Sequence, residues 1–138
     1  MSAFFSGVTN DQLASVALLD GMDGEALERV KQCSYFIGAH PGLHIVREAD
    51  AGFELYIVLS GTADVVRDGE IVASLGKGDV FGEMAVLSNA HRNADVRATS
   101  VMSLLAMSAT DFRRLAKDFP ELERRVRDLA EGRRAPTG

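Results

Sequence analysis

ADVVRDGEIVA, residues 63–73, is the stretch whose reading decides the fold. Two apolar runs, Ala63–Val66 and Ile71–Ala73, flank the dipeptide Asp68-Gly69. A two-residue Asp-Gly link suits a type I′ turn, because both central positions need positive φ, which glycine adopts freely and aspartate tolerates. With those two residues as the turn, Arg67 faces Glu70, and pairing back from there sets Val65 opposite Val72 on one face of a hairpin.

Outward from the hairpin the same texture continues. Between Ser34 and Met107, short apolar runs alternate with glycine and aspartate: Leu43–Val46, Leu55–Leu59, Ala63–Val66, Ile71–Leu75, Val96–Ala98 and Met102–Met107. Short strands punctuated by turn residues predict an all-β barrel or sandwich. Helical signals occupy both ends. Thr9 with Gln12 forms a capping box ahead of Leu13, Val16 and Ala17, and Asp23 caps a helix carrying Leu27, Val30 and Lys31 toward Cys33. Ser108 with Asp111 forms a second capping box, followed by Phe112, Leu115, Ala116 and Phe119 at helical spacing. Pro120 cannot continue that helix but suits the first turn of another, whose stripe is Leu122, Val126 and Leu129.

Composition bounds the function. The 138 residues are 46% hydrophobic and 25% charged, an ordinary globular balance. A net charge of −5 argues against a nucleic acid as direct partner, and the arginines at 124, 125, 127, 133 and 134 are interrupted by Asp128 and Glu131, as on a solvated helix face. The run Leu55–Leu59 is too short to cross a bilayer, so no membrane insertion is expected, and the N-terminus carries no signal-peptide pattern. The single Cys33 allows no internal disulfide, and the expected location is cytoplasmic.

Chemistry concentrates in GKGDVFGEMAVLSNAHRNADVRA, residues 76–98. Gly76, Gly78 and Gly82 let the backbone turn sharply and approach a ligand. Glu83-Met84-Ala85-Val86 has room for about one helical turn, whose unpaired N–H groups can seat an anionic oxygen. Arg92, nine positions after Glu83, supplies a permanent charge and a planar donor fork suited to phosphate. A carboxylate at Glu83 beside such a seat makes sense if the ligand also carries hydroxyl donors, as a sugar does.

This segment, FGEMAVLSNAHRNADVRA, resembles the phosphate-binding cassette of the cyclic nucleotide-binding domain family, which includes the catabolite activator protein, protein kinase A regulatory subunits and cyclic-nucleotide-gated channels. Residues 47–61 resemble that family's glycine-bounded hairpin, and Gly76–Asp79 the turn before its cassette, so the resemblance spans roughly residues 18–130. It implies a mainly β fold with flanking helices: an eight-stranded, jelly-roll-like β-roll with N-terminal helices and a C-terminal helical lid. It also implies one domain over residues 1–138, with a helical lead-in at 1–33, a roll at 34–107 holding the cassette at 81–94, and hinge and lid helices at 108–134. By the same resemblance the backbone N–H groups of Gly82, Glu83, Met84 and Ala85 hold phosphate oxygens or the adjacent turn, Glu83 takes the ribose 2′-hydroxyl, and Arg92 pairs with the phosphate. Asn93 and Ala94 add contacts, Val65 and Val72 line the purine, and the stripe with Val126 closes over the base.

Three positions depart from the family pattern: Ala49 replaces a glycine, His91 a proline, and Asn93 a serine, alanine or threonine. Threonine there goes with cGMP preference, so its absence favours cAMP, although an asparagine amide can also hydrogen-bond a guanine edge. The expectation is a sensor with no catalytic residue, no metal and no cofactor, whose partners are the cyclic nucleotide and an effector domain or separate effector protein. The same fold also suits an interaction module with no physiological nucleotide, and the lid stripe equally suits a helix packed permanently on the barrel or a homodimer contact. A cupin-type metal enzyme would need clustered histidines with a carboxylate. His40 and His44 are four apart within loop and strand, where such a pair need not share a face, and His91 is in a different loop.

Overall fold

The computed structural model describes residues 13–46, 54–82 and 94–131. A 3₁₀ turn at Ala17–Leu19 leads to helix α1 (Gly24–Cys33), then β1 (Ser34–Ala39), β2 (His44–Val46), β3 (Glu54–Ser60), β4 (Ala63–Arg67) and β5 (Glu70–Leu75). There follow β6 (Val80–Phe81), β7 (Asp95–Ala98), β8 (Met102–Ser108), α2 (Ala109–Asp118) and α3 (Glu121–Glu131). The eight strands form two antiparallel four-stranded sheets in the orders β1-β8-β3-β6 and β2-β7-β4-β5. The fold is mainly β, with helices flanking the roll.

Local chemistry sets the helix starts. Asp23, in extended backbone, accepts a hydrogen bond from the Ala26 N–H at 2.9 Å, and Ser108 accepts one from the Asp111 N–H at 3.1 Å. Each satisfies an N–H that has no partner within its own helix. Phe119 leaves helical geometry directly before Pro120, and α3 begins at Glu121.

Apart from its edge strand β1, the first sheet is buried on both faces. Leu55 and Ile57 of β3, Val80 of β6, and Leu105 and Met107 of β8 point to one side, where they meet Leu27, Val30, Phe112, Leu115, Leu122 and Val126 of the helices. Their neighbours Tyr56, Val58, Phe81, Leu104 and Ala106 point to the other, into the space between the sheets with Val46, Val65, Ala73, Ala94 and Val96. A strand with two apolar faces shows a continuous apolar run rather than alternation, which is why LYIVL and SLLAM read as they do.

The hairpin turn has the expected backbone, with φ of 53° at Asp68 and 79° at Gly69. Its register differs from the expectation. Arg67 pairs with Glu70 and Val66 with Ile71, but Val65 pairs with Ala73, not Val72. Val72 is the extra residue of a β-bulge, which opposes two residues on one strand to one on the other and bends that strand. The bulge still leaves Val72 half-buried against the same interior cluster as Val65.

Candidate ligand-binding site

The Gly76–Asp79 turn is tied into the middle of β3. Gly78 N–H donates to the Val58 carbonyl at 2.8 Å, and Val58 N–H donates to the Asp79 carbonyl at 2.9 Å. The Asp79 carboxylate accepts from the Gly76 N–H at 2.8 Å, and Gly78 sits at φ +90°, so a tight turn delivers β6 in one register. Val80 and Phe81 then pair with Ile57 and Tyr56, and the Phe81 ring stacks on that of Tyr56 with centroids 4.8 Å apart and planes at 13°. Gly82 follows at φ +78°, so the chain leaves the edge of the first sheet through a left-handed residue.

It re-enters at Ala94, which is buried in the interior between the sheets, and continues as β7 between β2 and β4 of the second sheet. Val65 lies directly opposite Val96 there. Gly82 and Ala94 are therefore held by different sheets, on either side of one apolar interior that also contains Val65 and borders Val72. Of the residues expected to bind ligand, Glu83, Met84, Ala85, Arg92 and Asn93 lie outside the described residues. Val126 is not brought to Val65 and Val72. It is fully buried on the helix side of the first sheet, packed with Leu122 among residues such as Val80 and Leu105.

Helix α3 is held in that position by polar contacts as well. The Arg125 guanidinium donates to the Leu18 carbonyl at 3.0 Å and the Asp20 carbonyl at 2.7 Å, carbonyls at the end of the 3₁₀ turn. Arg29 of α1 pairs with Asp118 at 2.5 Å and lies 5.6 Å from the Phe119 ring centroid, beside the α2–α3 junction.

One group on the first sheet was not singled out from the sequence. Tyr35, Ala106, Tyr56 and Phe81 form a cross-strand row over all four strands of the first sheet. The Glu54 carboxylate accepts from the Tyr56 hydroxyl at 2.9 Å with one oxygen and from the Tyr35 hydroxyl with the other. The signal available was parity: Glu54 and Tyr56 are two apart on one strand and share a face, but the pairing of Tyr35 with their row is a matter of strand order. Partial burial and then the hydrogen bond to Glu54 and its charge push the Tyr35 phenol up to about 12. Its ordinary value is about 10, so the fold loses stability as pH rises from about 10 through 12. Ultraviolet titration of the folded protein should show a phenolate step near 12, and Tyr35→Phe should remove that step.

Elsewhere, His44 Nδ1 lies 3.6 Å from an Asp95 carboxylate oxygen on the adjacent strand. Among the described residues, no three of histidine, cysteine, aspartate and glutamate gather as a metal site would require, and no helix is long and apolar enough to cross a membrane. Burial, and after it the Asp111 charge, push the Cys33 thiol up, away from the thiolate a nucleophile needs.

The family model described as "Cyclic nucleotide-binding domain" matches residues 39–119, more than half of the chain and both anchors of the 83–93 segment. The chain belongs to the cyclic nucleotide-binding domain family. It is 30% identical over 113 residues to the cAMP-dependent protein kinase regulatory subunit of Schizosaccharomyces pombe, an alignment covering 81% of this chain and 27% of that one. It is 33% identical to a cyclic nucleotide-gated potassium channel of Rhizobium etli, covering 92% of this chain and 36% of the channel. This cyclic nucleotide-binding domain thus spans about a quarter to a third of those relatives. Its fold superposes on the regulatory domain of Toxoplasma gondii PKA, crystallised with cAMP, with a TM-score of 0.75 and 28% identity, covering 88% of this chain and 48% of that one. The family is one of regulatory binding domains rather than catalysts.

Proposed function

We propose that this domain binds a 3′,5′-cyclic nucleotide, cAMP in preference to cGMP, in the interior bounded by Gly82 and Ala94, and signals through its last helix. The observation that carries the reading is the anchoring of Gly82 and Ala94 by separate sheets across one apolar interior that contains Val65 and borders Val72. A segment so tethered can gather backbone N–H groups after Gly82 and the Arg92 guanidinium around one phosphate while the purine enters apolar surroundings. Glu83 would then take the ribose hydroxyl, and Asn93, lacking the threonine hydroxyl, favours adenine over guanine. No cofactor is required, because nothing is transformed.

Signalling requires α3 to move. Withdrawing Leu122 and Val126 from the helix-side core costs roughly 1.5–3 kcal/mol for each side chain, so α3 leaves only if those residues are reburied, as they would be over a bound base. The nucleotide shifts the equilibrium by its difference in affinity for the two arrangements. The effector is a further domain of the same polypeptide or a separate protein, as the kinase and channel relatives suggest, and the reading places the domain in the cytoplasm. A second reading keeps α3 permanently packed and the interior without a physiological nucleotide. It is favoured by the two Arg125 hydrogen bonds that tie α3 to the lead-in.

Calorimetric titration with cAMP and cGMP separates the two. Saturable heat with cAMP, weaker with cGMP, supports the sensor. Absence of heat and of any thermal shift with either ligand at millimolar concentration would establish the second reading instead.

A further inference from the structure

We propose that the Tyr35–Glu54–Tyr56 cluster is a positioning device that holds the entrance of the phosphate-binding segment and so sets its affinity for ligand, an inference that rests on the nucleotide-binding reading. The Tyr56 side chain is held by both Glu54 and Phe81. Its hydroxyl donates to one Glu54 oxygen at 2.9 Å, and its ring face lies flat against Phe81 at 4.8 Å. Phe81 is the last residue of β6, and Gly82, where the chain turns off the sheet, comes next. The second Glu54 oxygen is held by the Tyr35 hydroxyl from the opposite edge of the sheet, with the small Ala106 between the two rings in the same row.

The chain of contacts therefore runs from β1, at one edge of the sheet, through a carboxylate and two aromatic rings to the residue before Gly82 at the other edge. Tyr56 is only 6% exposed and Phe81 1%, so neither ring can swing aside without opening the interior. A β6 of two residues has little ladder of its own. The stacked ring, held by a charge-assisted hydrogen bond, supplies the orientation that two ladder positions cannot. The ligand touches none of the three side chains in this account. They act through Phe81 on the direction in which the chain leaves the sheet at Gly82.

The protein contains two tyrosines and no tryptophan, so its intrinsic emission comes wholly from Tyr35 and Tyr56. The test is calorimetry with cAMP, together with tyrosine emission, on the wild type, Tyr56→Phe, Glu54→Gln, Tyr35→Phe and the Tyr56→Phe/Glu54→Gln double variant. Urea midpoints establish that each is folded. Tyr56→Phe should weaken cAMP binding by about 3- to 10-fold, the scale of one hydrogen bond. Glu54→Gln, whose amide oxygen still accepts one hydrogen bond but without the charge, should weaken it less. The double variant should be no weaker than Tyr56→Phe, because Glu54 acts on Phe81 only through the Tyr56 hydroxyl. The ligand-induced change in emission should persist in Tyr35→Phe and vanish in Tyr56→Phe.

Folded Tyr56→Phe and Glu54→Gln proteins that bind cAMP as the wild type does would overturn the positioning role while leaving nucleotide binding intact. So would additive losses in the double variant, which a general loosening of the fold would produce. A wild type that binds no cyclic nucleotide overturns the functional reading, and the positioning role with it.

Discussion

On the proposed reading, replacing Arg92 by alanine should lower the affinity for cAMP by some tens- to thousands-fold, about 2–5 kcal/mol, the range for removing one partner of a desolvated charge pair. Much of that loss comes from the group left behind: the cyclic phosphate would enter a largely apolar interior with its charge met only by backbone dipoles. Lysine should not restore the full affinity, because an ammonium is a point charge without the planar fork that meets two phosphate oxygens together. Glu83→Ala should have a smaller effect, about 1.5–3 kcal/mol, the worth of a hydrogen bond to a charged group. Calorimetry on Arg92→Ala, Arg92→Lys and Glu83→Ala, each with an unchanged urea midpoint, measures the series. An Arg92→Ala protein with wild-type affinity for cAMP would refute the phosphate assignment.

The second large effect concerns stability. Gly61 turns the chain from β3 to β4 at φ +92°, and a Cβ there would lie 2.4 Å from the Val101 carbonyl oxygen and 2.8 Å from the Met102 Cα. Both are backbone atoms of the segment entering β8, at the centre of the first sheet, and neighbouring bonds pin the two turns together. Thr62 N–H donates to the Ser100 hydroxyl at 2.9 Å, and Thr99 N–H donates to the Thr62 carbonyl at 2.9 Å. The turns cannot separate without breaking those bonds. Gly61→Ala therefore adds left-handed strain of about 1–3 kcal/mol to an overpacking cost of about 1–3 kcal/mol.

Gly69 offers the internal control. Its φ is +79°, yet a Cβ there meets nothing within 4 Å, so Gly69→Ala should cost only about 1–2 kcal/mol of backbone strain. Urea denaturation of both variants should show Gly61→Ala the less stable. Equal losses would mean that the contact with Val101 and Met102 relaxes freely.

The hairpin shows how far local sequence reaches. Asp68-Gly69 specifies a turn with two positive φ values because of its own steric properties, and that is what forms. The pairing beyond the turn is not local. A bulge at Val72 shifts Val65 onto Ala73, since strand β4 must at the same time pair with β7, and the curvature needed there depends on both neighbours. Strands β1 and β6 were absent from the apolar runs for related reasons. Strand β1 is an edge strand whose residues alternate irregularly between buried and exposed, and β6 has two residues, too few to show a period.

Val126 illustrates the same limit at the site. Its spacing with Leu122 places both on one stripe of α3, which is a property of the helix alone. Which face of the first sheet that stripe covers is decided by packing, and here it is the helix side, away from Val65.

By itself, the order of residues determined the features governed by neighbours in sequence: the caps at Asp23 and Ser108, the type I′ turn, the helix break at Pro120, and the Gly82–Ala94 motif by which the family is recognised. Tertiary structure alone decided the bulge at Val72, the two-sided burial of the first sheet, the seat of Val126 and the meeting of Tyr35 with Glu54 across the row to Tyr56. The division follows from distance. Turn and cap energies arise between groups a few residues apart, whereas strand order and facing are set by contacts between segments many residues apart, whose worth exists only once the chain has folded.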